Sequence, residues 1–369
     1  MTRPRQILFT LPNFITAGSG QLLVHIVSNL DRDRYRPSVC VARLGDVPVE
    51  HHLRGLGVPL FEADSTVAGK PWPALFWRAF SRSREFRDKG FDVWHSFHYL
   101  DDYSEPLIAR LSGARAWIYT KKSMSWNRRS WWLRSQLAHG IAAQNRDMMR
   151  DFFRTRRLRR KTRYVPSGVD VDRYCPPPVE KIPAGQLRVG CVAHLLPVKG
   201  QSTLVQAAAE VPDLQVLLAG RADEEEYAQS IRRQIERLGL FDRVLTVGMR
   251  DDVDVFLRDI DIFVLPSIGR GRMEGCPVAL LEAMSTGLAC VATDIPGNRD
   301  LIVNDESGLL VPPEDPVTLA AALRRLVASP ALRRRLGRAA RRRCVEHFST
   351  QQEAERYMAL YDEVLGTRE

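Results

Sequence analysis

Two carboxylates eight positions apart, Glu274 and Glu282, stand in the stretch from 266 to 300, PSIGRGRMEGCPVALLEAMSTGLACVATDIPGNRD. Between them come Gly275-Cys276-Pro277 and the apolar run Val278-Ala279-Leu280-Leu281. Proline favours the first turn of a helix, and the glycine before it lets backbone approach a ligand closely. A helix starting near Pro277 presents unpaired N–H groups and its positive dipole end at residues 275 to 278, which makes an anion site. Glu274 then precedes the helix, and Glu282 lies about one to two turns inside it. A carboxylate on a buried helix is costly unless something hydrogen-bonds it. A sugar nucleotide meets these conditions, with phosphates over the helix start, ribose hydroxyls on Glu282 and hexose hydroxyls on Glu274. The bland alternative is a capping acid plus a glutamate paired with a nearby arginine.

The longer string decides between them. Glu-Gly-x-Pro-x-x-Leu-Leu-Glu-Ala-Met from Glu274, followed by Gly-Leu-Ala-Cys-Val-Ala-Thr-Asp, resembles the signature of glycosyltransferase family 4 (glycosyl transferases group 1), the retaining sugar-nucleotide transferases of the GT-B fold. A long string matching in order is far more specific than a short motif. The resemblance implies an α/β chain of two Rossmann-like, doubly wound domains facing a central cleft, with a C-terminal helix crossing back to the first. It implies as substrates a nucleotide-sugar donor and a glycan or lipid-linked acceptor, in polysaccharide, lipopolysaccharide or glycolipid synthesis. No cofactor and no metal are expected, since no metal-ligand cluster is evident.

At 369 residues the chain accommodates two ordinary domains. No run of 18 apolar residues is present, so a spanning helix is not expected, and the apolar run near the N-terminus is too short for a secretory signal. Six scattered cysteines without a Cys-x-x-Cys pair suit reduced thiols in the cytoplasm better than a disulfide frame or a zinc site. The net charge of +10 is uneven. Residues 1 to 180 hold 30 Lys+Arg against 17 Asp+Glu, and the remainder holds 24 against 27. The first half is therefore the footprint for an anionic partner, which nucleic acid, an anionic membrane surface or a phosphate-bearing acceptor would all fit.

The elements that must position the two acids follow a βα rhythm. Gln6 to Leu11 reads as a strand, Ala17-Gly18-Ser19-Gly20 as a glycine turn and Gln21 to Leu30 as a helix, which is how a doubly wound sheet begins. Further strands fall at Ser38–Arg43, Phe91–Phe97, Ala116–Thr120 and Gly140–Ala143. Residues 70 to 90 mix Trp72, Phe76, Trp77, Phe80 and Phe86 with arginines, and Trp126 to Trp132 repeats the mixture. Two such segments favour a peripheral membrane attachment over a solvated basic back. The run from Arg154 to Arg163 is usually a solvated face, and its density also suits phospholipid headgroups or RNA. Domains are expected at 1–170 and 187–348, with a Pro-rich linker at 171–186 and residues 349–369 completing the first domain.

In the second half, Leu187 to Ala193 is a buried-strand pattern, followed by His194-Leu195-Leu196-Pro197-Val198-Lys199-Gly200 and a helix from about Ser202. This resembles the family's Gly-Arg-Leu-x-x-x-Lys-Gly element, whose Arg and Lys clamp the donor diphosphate. Lys199 matches, while His194 stands where the Arg would be and supplies less charge when neutral. By the same resemblance Gly18 and Gly20 face the donor phosphates, and Gly248 and Met249 seat the base. Gly275, Cys276 and Pro277 offer amides, Glu282 holds the ribose, and Glu274 orients the hexose and supports an oxocarbenium-like state. Where the family places a histidine beside the donor sugar, at Tyr119 to Ser123, this chain has lysines, so Lys122, His95 and His98 are acceptor-side candidates. Asp170, in a segment resembling Pro-Asn-Gly-Val-Asp, marks either the cleft floor or a turn. Two other readings stand beside the transferase. A nucleotide-sugar epimerase of similar fold would not use the paired glutamates, and a basic RNA- or membrane-binding protein would leave the second-half motifs unexplained.

Overall fold

Short apolar runs punctuated by Gly, Pro and Asp fold here as parallel strands, each followed by a helix. The structure is a computed structural model describing residues 3–14, 17–98, 102–126, 128–179, 185–270 and 275–366. In chain order the first part runs β1 (Arg5–Leu11), α1 (Ala17–Ser28), β2 (Tyr35–Val41), α2 (Pro48–Gly55), β3 (Leu60–Glu62), α3 (Trp72–Arg87), β4 (Val93–Ser96) and α4 (Ser104–Leu111). It continues through β5 (Ala116–Lys121), α5 (Arg128–Leu137), β6 (Gly140–Ala143), α6 (Arg146–Asp151), α7 (Arg156–Lys161) and β7 (Thr162–Tyr164). The second part has β8 (Leu187–Val192), α8 (Gln201–Ala209), β9 (Leu214–Ala219), α9 (Glu225–Arg237), β10 (Val244–Gly248), α10 (Val253–Asp259), β11 (Ile262–Leu265) and α11 (Val278–Ser285). Then come β12 (Ala289–Thr293), α12 (Asn298–Leu301), β13 (Leu309–Val311), α13 (Pro316–Ala328), α14 (Pro330–His347) and α15 (Thr350–Leu365).

Residues 1–168 and 350–369 form one compact unit, and residues 169–349 form the other. The first sheet has the order β3-β2-β1-β4-β5-β6-β7 and the second β10-β9-β8-β11-β12-β13, all neighbours being parallel. Parallel sheets need both faces covered, and their strands read accordingly as continuous apolar runs. In the first unit α1, α2 and α15 cover one face, while α3 to α7 cover the other around Trp94, Trp117 and Tyr119. In the second, α8, α9 and α13 cover one face and α10, α11 and α12 the other, with α14 contributing to both cores. Each strand order reverses once, at β1/β4 and at β8/β11, and ligands of such sheets bind at the carboxyl ends of those strands.

Helix α15 belongs to the first unit through polar as well as apolar contacts. Tyr35 donates to Asp362 Oδ1 (2.6 Å), and Glu353 Oε2 accepts from the Gly168 amide (2.9 Å). The segment expected to open a linker at 171 instead starts as part of the second unit. Arg341 Nη1 donates to the carbonyls of Val171 (2.6 Å) and Tyr174 (2.9 Å), and Tyr174 is buried in that unit's core. The basic run at 154 to 163 is ordered as α7 and β7, with Leu158 buried and its arginines outward. No disulfide joins any of the six cysteines.

Candidate functional site

The carboxyl edge of the second sheet, at the β8/β11 reversal, gathers most of the described residues that the sequence marks. After β8 the chain passes His194, makes a tight 3-10 turn at Pro197–Lys199 and reaches Gly200 with φ +68°. A Cβ on Gly200 would lie 2.0 Å from the Pro266 carbonyl oxygen, so only glycine allows this approach to the loop after β11. The Ile268 amide donates to the Val198 carbonyl (2.9 Å), completing the tie. Lys199, half-buried, is thereby fixed beside the loop that leads to α11. Ser267 in that loop is buried, and its hydroxyl finds no hydrogen-bond partner among the described residues. A buried hydroxyl without a partner is costly and keeps a donor able to meet an acceptor.

Helix α11 starts at Val278 with Pro277 as its N-cap, one residue after the expected start. Gly275, Cys276 and Pro277 form a buried turn in front of it. Gly297, at φ +89°, braces that turn, since a Cβ there would stand 2.7 Å from the Gly275 carbonyl oxygen. Helix geometry leaves the first-turn amides without intrahelical acceptors, and the dipole adds positive potential there. The expected acid Glu274 lies outside the described residues.

Glu282, in the second turn of α11, is largely enclosed. Burial pushes its carboxyl up to about 7, against the opposing pull of a hydrogen bond from Tyr174 and the charge of Arg173. That hydrogen bond supplies the partner that a carboxylate on a buried helix requires. Tyr174 is held in place from behind, because its carbonyl accepts from Ser285 Oγ (2.6 Å) as well as from Arg341. Arg173 in turn pairs with Asp254 of α10 at 3.3 Å.

His194 carries a partner absent from the sequence reading. Its Nδ1 lies 2.8 Å from Asp223 Oδ2, and Asp223 also pairs with Arg221. The Arg221 hydrogen bond and the His194 charge hold the Asp223 carboxyl below its ordinary value, although desolvation opposes them. The imidazole thus sits beside a carboxylate. The backbones meet closely here too, as a Cβ on Gly220 would sit 2.0 Å from the Ala193 carbonyl oxygen. Gly248, with φ +72°, ends the edge strand β10 beside Gly220, whose amide donates to the Gly248 carbonyl (2.8 Å). Met249 follows with its side chain exposed.

The first-unit candidates lie in different settings. Gly18 and Gly20 are not in a turn before α1 but in its first turn, where Gly20 packs against Val49 of α2. His95 is not available to an acceptor. It is fully buried, with Nδ1 2.8 Å from the Tyr361 hydroxyl and Nε2 2.9 Å from Thr120 Oγ1, and burial drives its pKa well down. Strand alternation turns it toward α15, whereas Trp94 beside it faces the other helix layer. His98 is also buried, 2.8 Å from Ser65 Oγ and 4.0 Å from Glu105. Lys122 is half-buried and donates to the Phe97 carbonyl (2.6 Å). Asp170 Oδ1 accepts the amides of Asp172 and Arg173, a turn role that also sets the course of the chain to Tyr174.

Comparison with known proteins agrees with this fold. Residues 16–173 match the family described as Glycosyltransferase Family 4, and residues 177–343 match Glycosyl transferases group 1. The putative colanic acid biosynthesis glycosyltransferase WcaL of Escherichia coli K12 is 37% identical over 161 residues, covering 42% of this chain and 39% of that protein. The matched stretches span about 40 to 60% of the length of the first curated relatives. A glycosyltransferase structure from Rickettsia africae ESF-5 aligns over the full length of both chains with a TM-score of 0.87 at 16% identity. Anabaena Alr3699/HepE, solved in complex with UDP-glucose, aligns over 96% of this chain and 99% of its own with a TM-score of 0.76 at 19% identity. The two-sheet α/β architecture is that of GT-B glycosyltransferases.

Proposed function

Because the chain belongs to glycosyltransferase family 4, we propose that it transfers a hexose or related sugar from a nucleoside-diphosphate sugar to an acceptor hydroxyl, with retention of anomeric configuration, in the making of a cell-surface polysaccharide, lipopolysaccharide or glycolipid. The observation that carries this reading is the grouping of Lys199, the Gly275–Pro277 turn and Glu282 around one reversal of strand order. Negative charge grows on the diphosphate as the glycosidic bond breaks. A fixed ammonium and helix-start amides stabilise that charge more in the transition state than in the ground state. Glu282, as a carboxylate, accepts the ribose hydroxyls, and Tyr174 keeps it oriented for them. His194, beside Asp223, stands where the family has its arginine and offers the diphosphate a hydrogen-bond donor. Glu274 orients the hexose and supports positive charge at its anomeric carbon, while the acceptor attacks from the face the leaving group vacates. The colanic acid role in WcaL's name supports a cell-surface product, and the UDP-glucose bound to HepE supports a UDP-hexose donor.

With Lys199 and the helix-start amides on the diphosphate the transfer needs no metal, so activity is expected to survive EDTA. The test of the whole reading is a thermal-shift screen with UDP-, GDP- and ADP-hexoses, followed by product analysis. A ligand that binds the native state raises its melting temperature. One nucleotide class should stabilise the wild type and fail to stabilise Lys199→Ala, and the transferred sugar should keep its anomeric configuration. An epimerised nucleotide sugar formed without acceptor would overturn the proposal.

A further inference from the structure

Helix α3 has two apolar faces, and the fold uses one of them. Leu75, Ala79, Ser83 and Phe86 form the buried stripe against the first sheet and α4. Trp72, Phe76 and Phe80 recur every fourth residue on another face, joined by Trp77. Trp72, Phe76 and Trp77 are 60%, 51% and 70% exposed. These rings are organised rather than scattered. Phe76 lies 6.1 Å from Trp77 and 6.4 Å from Phe80, and Trp72 stacks on Tyr103 at 5.5 Å. A contiguous aromatic face of this kind on a soluble domain marks an interaction surface.

Its surroundings identify the partner. Residues 70 to 89 contain six Lys and Arg against two carboxylates. Arg84 and Arg87 set their guanidinium groups 5.1 and 5.4 Å from the Phe80 ring, so the aromatic cluster is rimmed by cations. Other helices of the same layer also expose such groups, with Trp132 52% exposed on α5 and the arginines of α7 outward. Indole and phenyl rings that enter the headgroup region while arginines stay at the phosphates are the chemistry of an interfacial helix. A protein partner would have to meet the same cations with acids. We propose that the α3 face docks the first unit on an anionic bilayer, with Trp72, Phe76 and Trp77 entering the headgroup layer.

Topology gives the docking a direction. In a parallel strand–helix–strand crossover the helix begins at the carboxyl edge of the sheet, so the aromatic first half of α3 lies toward the edge where ligands bind. Docking there would bring a lipid-borne acceptor to that edge. This last step rests on the glycosyl-transfer reading, whereas the docking does not.

The experiment uses the full chain and vesicles of phosphatidylcholine alone or with phosphatidylglycerol, followed by sedimentation and tryptophan emission. The wild type should sediment with the anionic vesicles, shift its emission to the blue and be released by high salt. The triple variant Trp72→Ser, Phe76→Ser, Trp77→Ser should bind about tenfold more weakly, with its melting temperature and its affinity for nucleoside diphosphate unchanged. Arg84→Glu with Arg87→Glu should abolish the preference for anionic lipid while leaving the fold intact. Equal vesicle binding by wild type and triple variant would overturn the proposal, as would equal binding to neutral and anionic vesicles. So would a dimer in solution that the triple variant dissolves, which would give the face to a second copy. Loss of nucleotide binding in the wild type with vesicle binding retained would refute the transfer reading and leave the docking standing.

Discussion

The two sheets share a plan and use the same place differently. At the β1/β4 reversal of the first unit, Glu105 is fully buried and accepts from Thr10, Ser96, Trp94 Nε1 (3.1 Å) and Arg134 Nη2 (3.1 Å). Burial works against its charge, but His98, Arg134 and the two hydroxyls hold its carboxyl below the ordinary value. Arg134, equally buried, lies within 6 Å of the rings of Trp117, Tyr119 and Trp131. That network satisfies the carboxylate, while Arg134 Nε and Trp117 Nε1 beside it find no hydrogen-bond partner among the described residues. At the β8/β11 reversal of the second unit the carboxylate fares differently, for Glu282 is pushed toward neutrality, Lys199 keeps solvent access and the Ser267 hydroxyl has no partner among the described residues. The same topology thus carries a buried ion pair in one unit and the proposed donor-binding groups in the other.

The largest expected effect breaks the first network. Arg134→Met strands a buried carboxylate and should cost about 3–5 kcal/mol in denaturant unfolding, without weakening nucleoside-diphosphate binding in the protein that remains folded. Since Glu105 titrates below its free value, the pair's contribution is present above that free value and is lost as the pH falls through the folded one. Lys199→Ala should do the opposite, lowering kcat/KM by about 10²–10³ while changing the melting temperature little. Steady-state kinetics on the two variants would separate the regions, and any crossover of effects would blur them.

Glu282→Gln comes next. A carboxyl whose folded pKa is raised to about 7 stabilises the fold below its unfolded value, and that contribution is lost as the pH rises through the folded one. The amide escapes this loss, so at pH 8 the ligand-free variant should be about 1–3 kcal/mol more stable than wild type, and its donor affinity should fall. Smallest is Tyr174→Phe, worth about 1 kcal/mol of donor affinity. Wild-type affinity should climb between pH 6 and 8 as Glu282 ionises. Removing the Tyr174 hydrogen bond, which lowers the Glu282 pKa, should move that rise to higher pH. An unmoved profile would mean Tyr174 serves only packing.

What was legible in the sequence was local. The string around Pro277 announced α11 within one residue, and Leu187 to Ser202 announced strand, loop and helix start, because glycine, proline and apolar period all lie within one short window. Partners brought together only by the fold were invisible. Nothing near Glu282 in sequence points to Tyr174, nothing near His194 points to Asp223, and Arg341 gives no local sign that it anchors Val171 and Tyr174. His95 stood as an acceptor-side candidate because strand parity alone does not tell which face α15 will cover. The three-residue strands β3 and β7 carry too few residues for a period, and α1 absorbed glycines that read as a turn. For α3 the aromatic stripe was readable, but its small inward residues, Ala79 and Ser83, hid which face turned to the core.

The central claim is that the β8/β11 edge holds the donor's diphosphate, and calorimetric titration with UDP, GDP and ADP in turn tests it most directly. One of these should bind the wild type, with Lys199→Ala at least about tenfold weaker and His95→Gln unchanged. Equal affinity of wild type and Lys199→Ala, or a loss with His95→Gln as large as with Lys199→Ala, would contradict the account.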